Sequence, residues 1–350
     1  MRIADRDIGP GHEPYVIAEI GVNHDGDPAR ALELIRLAAT TGADAIKLQL
    51  FETDRLMSSA AKLAAYQKAS GETDPIAMLR RLELGHSDMR RCFDLAHDLG
   101  MHAVVSVFST ELVGRAMELG VDAFKAASPD IVHEPLLRAL GATGRPLIVS
   151  TGTAEITEIE RASNWLRAAQ DRLAFLHCVS SYPTPPDAAN VSACCAVAAA
   201  TPGCPVGYSD HTERTDTGLA AVVHGGASIL EKHFSDDRKR AGPDHRASLE
   251  PEAFAEYVRT AKRGGIEPDA RLIGDGSKVL TDMERDVRTA SRQSVVSTRY
   301  IPEGSQITPK MLTIKRPGTG IPPSELAMVS GQTAARDIED DVPITEADLV

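Results

Sequence analysis

Short apolar runs of four to six residues recur along the first two thirds of the chain, at 15–20, 45–50, 102–107, 123–126, 146–150, 173–178, 205–209 and 228–233. Most are near-continuous rather than alternating, as expected of strands covered on both faces. Stretches with apolar residues at helical spacing separate or follow them, at 28–41, 87–99, 110–119, 134–142, 156–169, 216–224 and 251–263. Gly42, Gly100 and Gly120 stand just past three of these stretches, where helices commonly stop. Eight βα units in roughly 270 residues predict a (β/α)8 barrel. An open doubly wound sheet is the competing architecture, but it usually has fewer strands and a Gly-rich first turn. Here Gly21-Val22-Asn23-His24-Asp25-Gly26 lacks the GxGxxG spacing.

The pattern then changes. The barrel is expected to occupy 1–281, followed by a polar linker at 282–292 without strand pattern. Beyond it, short β runs at 294–297, 301–304, 312–320 and 344–349 are punctuated by Pro and Gly and predict a small, mostly β module at 293–350. About 60 residues is marginal for independent stability, so the module should pack against something.

Composition narrows the class. Apolar content of 42% and charged content of 25% are ordinary for a globular enzyme. No apolar run approaches about 18 residues, which predicts no membrane span. The N-terminus lacks an apolar signal core, so a cytoplasmic protein is expected. Five cysteines without a CxxC argue against a disulfide framework and a thiolate zinc site, and Cys194-Cys195 reads as buried small hydrophobes. A net charge of −12 disfavours nucleic acid and anionic membranes as partners. Any anionic substrate must therefore be held by local cations.

Candidate cations lie where the strands end. Parallel strands bring their C-terminal ends to one rim, and Lys47 and Lys125 sit near two of those ends. Buried lysine needs a partner or an anion. Two in one barrel mouth suggest a doubly anionic ligand, such as a phosphate that also carries a carboxylate; ion pairs with Glu19 and Glu231 are the alternative. Hydroxyls recur at matching positions, at Ser106, Ser128, Ser150, Thr151, Ser180 and Ser209, as phosphate oxygens require. His211 and His233 close or follow the last two strands, one helix apart. They are either a pair of metal ligands or simple strand caps. Glu19 ends the first strand and is placed to act as general base. Such a set can polarise a carbonyl while holding a phosphorylated partner.

These residues carry a resemblance. The chain resembles the sialic acid synthase family, which condenses phosphoenolpyruvate with an amino sugar to make nonulosonic acids. The matching segments include Ala18-Glu19-Ile20-Gly21-Val22-Asn23-His24-Asp25-Gly26, Lys47-Leu48-Gln49, Ser150-Thr151-Gly152, Tyr182-Pro183-Thr184-Pro185, Gly207-Tyr208-Ser209-Asp210-His211-Thr212, Leu230-Glu231-Lys232-His233-Phe234 and Gly242-Pro243-Asp244. Lys315-Arg316-Pro317-Gly318-Thr319-Gly320 resembles the family's antifreeze-like (SAF) domain.

The resemblance implies a divalent metal, usually Mn2+ with Mg2+ or Co2+ as substitutes, on His211 and His233. It implies phosphoenolpyruvate against Lys47, Lys125, Ser106, Ser128, Ser150, Ser180 and Ser209. The amino sugar would meet Gln49, Asp130, Tyr182, Asp244 and Arg316, with Glu19 as base. It further implies a domain-swapped homodimer, with Arg316 arriving over the partner's barrel. An N-acetylmannosamine-type acceptor is expected, and the 2,4-diacetamido hexoses of pseudaminic and legionaminic acid synthases are the alternative. Departures at Ser106, Ser180 and Asp130 leave that choice open, and the 52–85 insertion carries no readable substrate signal. More remote readings are a metal-dependent phosphosugar aldolase and a noncatalytic sugar- or ice-binding protein; neither has reason to carry the whole set.

Overall fold

The computed structural model describes residues 1–350. The eight apolar runs are parallel strands: β1 (Tyr15–Gly21), β2 (Ala45–Leu50), β3 (His102–Val107), β4 (Ala123–Ala126), β5 (Leu147–Ser150), β6 (Leu173–Cys178), β7 (Val206–Asp210) and β8 (Ile229–His233). They close into a barrel in chain order, with β8 pairing back onto β1 so that His233 stands opposite Glu19. Eight helices follow the strands: α1 (Pro28–Ala39), α2 (His86–Asp98), α3 (Val113–Glu118), α4 (Glu134–Gly141), α5 (Ile156–Trp165), α6 (Cys194–Ala200), α7 (Thr217–Gly225) and α8 (Pro251–Arg263). Asp27 caps α1 by accepting from the Ala29 amide at 2.8 Å, with Pro28 in the first turn. Helix α6 is absent from the expected helical stretches because its alanine run has helix propensity but no polar face to show a period. Its two cysteines differ: Cys194 is buried as expected, whereas Cys195 is exposed.

Alternation along each strand decides where chemistry is possible. Outward residues such as Val16, Ala18, Ile20, Ile46 and Leu48 pack under the helices in the main core. Inward residues at the strand starts, among them Tyr15, Ile17, Ala45, Val104, Ala123, Ile148 and Ile229, fill the lower barrel. Ile3 and Ile8, in and just after an N-terminal hairpin (Arg2–Ile3 against Arg6–Asp7), join that lower core. Apolar side chains thus occupy the lower interior, and inward positions further along each strand are left for polar groups.

Two segments close the upper end. The 52–85 insertion holds helices Thr53–Leu56, Ala65–Ala69 and Pro75–Leu82 and shares an apolar cluster with Val22, Phe51 and Phe108. The expected linker is ordered: a turn at Asp282–Glu284 leads into α9 (Arg285–Ser291), and Glu284 is fully buried. After it comes the small module, with β9 (Ser294–Ser297) antiparallel to β10 (Leu312–Lys315) over a core that includes Val295, Ile301, Val329 and Ile338. The runs at 301–304 and 344–349 are not strands but contribute single bridges, Ile301 to Ile338 and Leu349 to Ala334.

The module does pack against something, namely the insertion of its own chain. The Arg316 amide donates to Leu56 O at 2.8 Å, and Ser58 N and Oγ donate to Arg316 O at 3.0 and 2.7 Å. No helix is long and apolar enough to cross a membrane.

Candidate active site

Successive inward positions place a polar layer above the apolar one. In β1, Glu19 follows Tyr15 and Ile17 at two-residue steps; in β2, Lys47 and Gln49 follow Ala45. Register aligns the layer across strands: Glu19 stands opposite Lys47, Gln49 opposite Ser106, Ser106 opposite Lys125, and Ser209 opposite Glu231. A bulge between Glu19 and Gly21 shifts the β1 register at this point. Gly21 has φ of 56°, and a Cβ there would come within 2.9 Å of Glu19 Oε1, so only glycine suits the site.

A cavity of about 870 Å3, measured out to its open mouth, is lined by fourteen of the fifteen residues expected in the site. The exception is Asp130. Instead of facing the cavity it lies fully buried behind the wall, accepting from Gln293 Nε2 at 2.9 Å. Burial pushes its carboxyl up to about 6, against the opposing pull of the Arg316 cation.

Lys47 and Lys125 share the cavity floor with two carboxylates. Lys47 Nζ lies 2.9 Å from Glu19 Oε2 and 3.7 Å from Glu231 Oε1. It also donates to Ser106 Oγ at 3.1 Å. Burial works against its charge, but Glu19 and Glu231 outweigh burial and hold its pKa above the ordinary lysine value. Lys125 is less compensated. Its nearest carboxylate oxygen, Glu231 Oε2, is 3.9 Å away, and burial pulls its pKa below the ordinary value. It donates to Ser150 Oγ at 2.6 Å and Ala126 O at 3.0 Å, which leaves a third ammonium proton for a ligand. The lysines are thus ion-paired, and they also line the cavity.

The imidazoles stand above this floor. Their ring centroids are 5.4 Å apart, and Tyr182 lies over His211 at 4.1 Å. His211 Nδ1 donates to Val179 O at 2.9 Å; burial opposes charge on this ring, but the adjacent Cys178 outweighs burial and raises its pKa. His233 has no hydrogen-bond partner at its buried Nδ1, and Asp244 Oδ2 is 3.9 Å from that atom. Burial holds His233 well below the ordinary histidine range, hence neutral. Two imidazoles facing one cavity fit a divalent transition ion that completes its shell with water or substrate, the ion displacing the second proton that His211 tends to hold. The chain supplies no preformed cluster of three or more His, Cys, Asp or Glu ligands.

Glu19 is positioned beside both features. Its Oε1 accepts from Gln49 Nε2 at 2.9 Å, and burial raises its pKa against the opposing pull of Lys47.

Arg316 lies at the mouth of the barrel of its own chain, with its guanidinium carbon 5.5 Å from the Phe108 ring centroid. The main-chain pairing of residue 316 with the insertion fixes this placement.

Several lining residues had no signal in the sequence. Tyr66 stacks on Tyr182 at 4.7 Å. Gln67, Met78, Leu79 and Leu82 come from the same insertion. Aromatic and aliphatic residues in short irregular helices read as packing, and only the folded insertion turns them toward the cavity. Glu231 does carry a signal, a carboxylate at an inward strand position, and the structure pairs it with both lysines.

Comparison with known proteins agrees with this geometry. The chain matches the model of the NeuB family over residues 34–265 and that of the SAF domain over residues 292–350. It is 36% identical to N,N'-diacetyllegionaminic acid synthase of Legionella pneumophila, over 91% of this chain and 89% of that protein. It is 32% identical to human N-acetylneuraminate-9-phosphate synthase, over 97% and 93% of the two chains. The crystal structure of the spore coat polysaccharide biosynthesis protein SpsE of Bacillus subtilis superposes with a TM-score of 0.84 at 29% identity, covering 100% of this chain and 99% of that one. A sialic acid synthetase from Leptospira borgpetersenii superposes with a TM-score of 0.67 at 30% identity, covering 82% and 94%. With the NeuB model matched over most of the chain and relatives above 30% identity along nearly all of it, the chain belongs to the NeuB family.

Proposed function

We propose that the chain condenses phosphoenolpyruvate with an N-acylated amino sugar to form a nonulosonic acid and phosphate. The observation that carries this reading is the vertical order of the cavity: Lys47 and Lys125 with their hydroxyls below, His211 and His233 above, and Glu19 beside both. A divalent ion on the imidazoles, Mn2+ foremost, supplies a Lewis acid for the aldehyde oxygen of the open-chain sugar. The protein's own work is positioning and charge. Lys125, with a free ammonium proton, and Lys47 hold the phosphate and carboxylate of phosphoenolpyruvate, aided by Ser106, Ser128, Ser150, Ser180 and Ser209. The enol carbon attacks the aldehyde carbon, whose C=O π pair moves to oxygen and takes up a proton to become the product hydroxyl, and water adds to the cation left at C2. Glu19 accepts the proton of that water, and the adduct expels phosphate with cleavage of the C2–O bond.

The acceptor would lie toward the mouth, against Gln49, Tyr182, Asp244 and Arg316. There one wall is apolar, built by Val22, Met78, Leu79, Leu82 and Phe108. Apart from the paired floor lysines, Arg316 is the one lysine or arginine lining the cavity. This favours a second reading of the acceptor, a 2,4-diacetamido hexose, over a simple or phosphorylated N-acetylmannosamine, because acyl methyls suit such a wall and a phosphate does not. Turnover with N-acetylmannosamine, its 6-phosphate and the 2,4-diacetamido hexoses, each with phosphoenolpyruvate, tests both readings. Fastest turnover with the phosphosugar would contradict the second, and no turnover with any would contradict the first.

A further inference from the structure

Glu284 is a fully buried carboxylate in the segment between barrel and module, and no lysine, arginine or histidine lies within ion-pair distance of it. Its oxygens are satisfied by donors from three places. Oε1 accepts from the Thr153 amide and from the Ser180 amide, both at 2.9 Å. Oε2 accepts from Thr281 N at 3.2 Å and Thr281 Oγ1 at 2.9 Å. One oxygen thus joins the loop after β5 to the loop after β6.

Those loops carry the hydroxyl side of the cavity floor. Ser150 and Gly152 precede Thr153, and the Gly152 amide donates to Ser128 Oγ at 3.0 Å. A Cβ on Gly152 would sit 2.2 Å from Ser180 Oγ and 2.7 Å from Ser128 Oγ, so the two hydroxyls converge on this stretch of backbone. Thr153 itself has φ of 57°, a conformation a β-branched residue adopts only under constraint. The constraint comes from the same segment as Glu284. Arg288 Nη1 and Arg292 Nη2 donate to the Thr153 carbonyl at 2.7 and 3.1 Å, and both guanidiniums are anchored on Glu158. Residues 284–292 therefore grip both main-chain polar groups of one strained residue.

We propose that Glu284 is a positioning residue for phosphoenolpyruvate: by bridging the Thr153 and Ser180 amides it sets the spacing of Ser128, Ser150 and Ser180 around the anion. The proposal rests on the reading of the floor as the phosphoenolpyruvate site. It also gives the inter-domain segment a role in substrate binding rather than mere tethering.

Calorimetric titration of Glu284→Ala, Glu284→Asp and Glu284→Gln with phosphoenolpyruvate, alongside acceptor KM and amide exchange at 151–154 and 179–181, tests it. Aspartate keeps the charge but loses reach, whereas glutamine keeps an oxygen at the bridging point, so the pair remains informative if the alanine variant does not fold. Aspartate and alanine should weaken phosphoenolpyruvate about 10- to 100-fold and speed exchange in both loops. Acceptor KM should stay within about twofold and glutamine should restore most of the affinity. Unchanged phosphoenolpyruvate affinity, or parallel loss for both substrates with falling Tm, would overturn the positioning role. A wild-type chain that binds no phosphoenolpyruvate would overturn the reading of the floor, and this proposal with it.

Discussion

Lys47 Nζ and Glu19 Oε2 lie 2.9 Å apart on neighbouring strands, with side chains only 5% and 1% exposed. Breaking such a pair strands a charge in the interior and costs about 3–5 kcal/mol. Lys47→Met should therefore lose both stability and phosphoenolpyruvate affinity. The double variant Lys47→Met/Glu19→Gln removes the stranded charge and should regain most of the stability in thermal melts without regaining affinity. Affinity that returns together with stability would assign the lysine to structure alone.

The imidazole pair predicts metal dependence. His211→Ala or His233→Ala leaves one nitrogen, too few to fix a divalent ion otherwise held by water. Each should reduce bound Mn2+, measured by elemental analysis after dialysis, and lower turnover by about 100-fold or more. Chelation of the wild type should do the same, reversibly. Full activity in a metal-stripped sample would refute the assignment.

Much of this was legible along the chain, for identifiable reasons. Strands buried on both faces must be near-continuously apolar, so Lys47, Lys125 and Glu19 stood out as charges where none is tolerated without a purpose. Their two-residue spacing from Tyr15, Ile17, Ala45 and Ala123 already put them in one layer. Asp130 is suggested by the resemblance and not by alternation: it lies beyond the end of β4, in a 3-10 turn that turns it away from the cavity lining. The linker is a different case. Its exposed charges hid one buried carboxylate, Glu284, whose partners are distant backbone amides that leave no mark in sequence. The insertion shows neither period, so Tyr66 could be placed only after folding.

Asp130 gives a pH prediction. Its carboxyl is raised from 3.8 in the unfolded reference to about 6 in the fold, mainly by burial. The folded state then holds the proton more tightly, so this group's contribution to stability is full below about pH 4 and is lost as pH rises through about 6. Asp130→Asn should flatten that part of the stability profile and raise stability at pH 7.5, by at most about 2–3 kcal/mol. Urea unfolding at pH 5 and 7.5 checks it; a larger deficit of the variant at pH 7.5 would mean the charged form is the stabilised one.

Arg316 lines the cavity of its own chain's barrel, and a role in that same barrel has a clear consequence. Mixing Arg316→Ala chains with His211→Ala chains should then create no defect-free site, and activity should stay at the level of the separate variants. Recovery toward a quarter or more of wild-type turnover in verified mixed dimers would show that the module acts on the neighbouring barrel.

The most direct measurement of the central claim is phosphate release followed with each substrate alone and with both. With Mn2+ present, phosphate should appear only when phosphoenolpyruvate and an N-acylated amino sugar are supplied together, one phosphate for each nonulosonic acid formed. Phosphate release from phosphoenolpyruvate without acceptor, or consumption of the sugar without phosphate, would contradict the account.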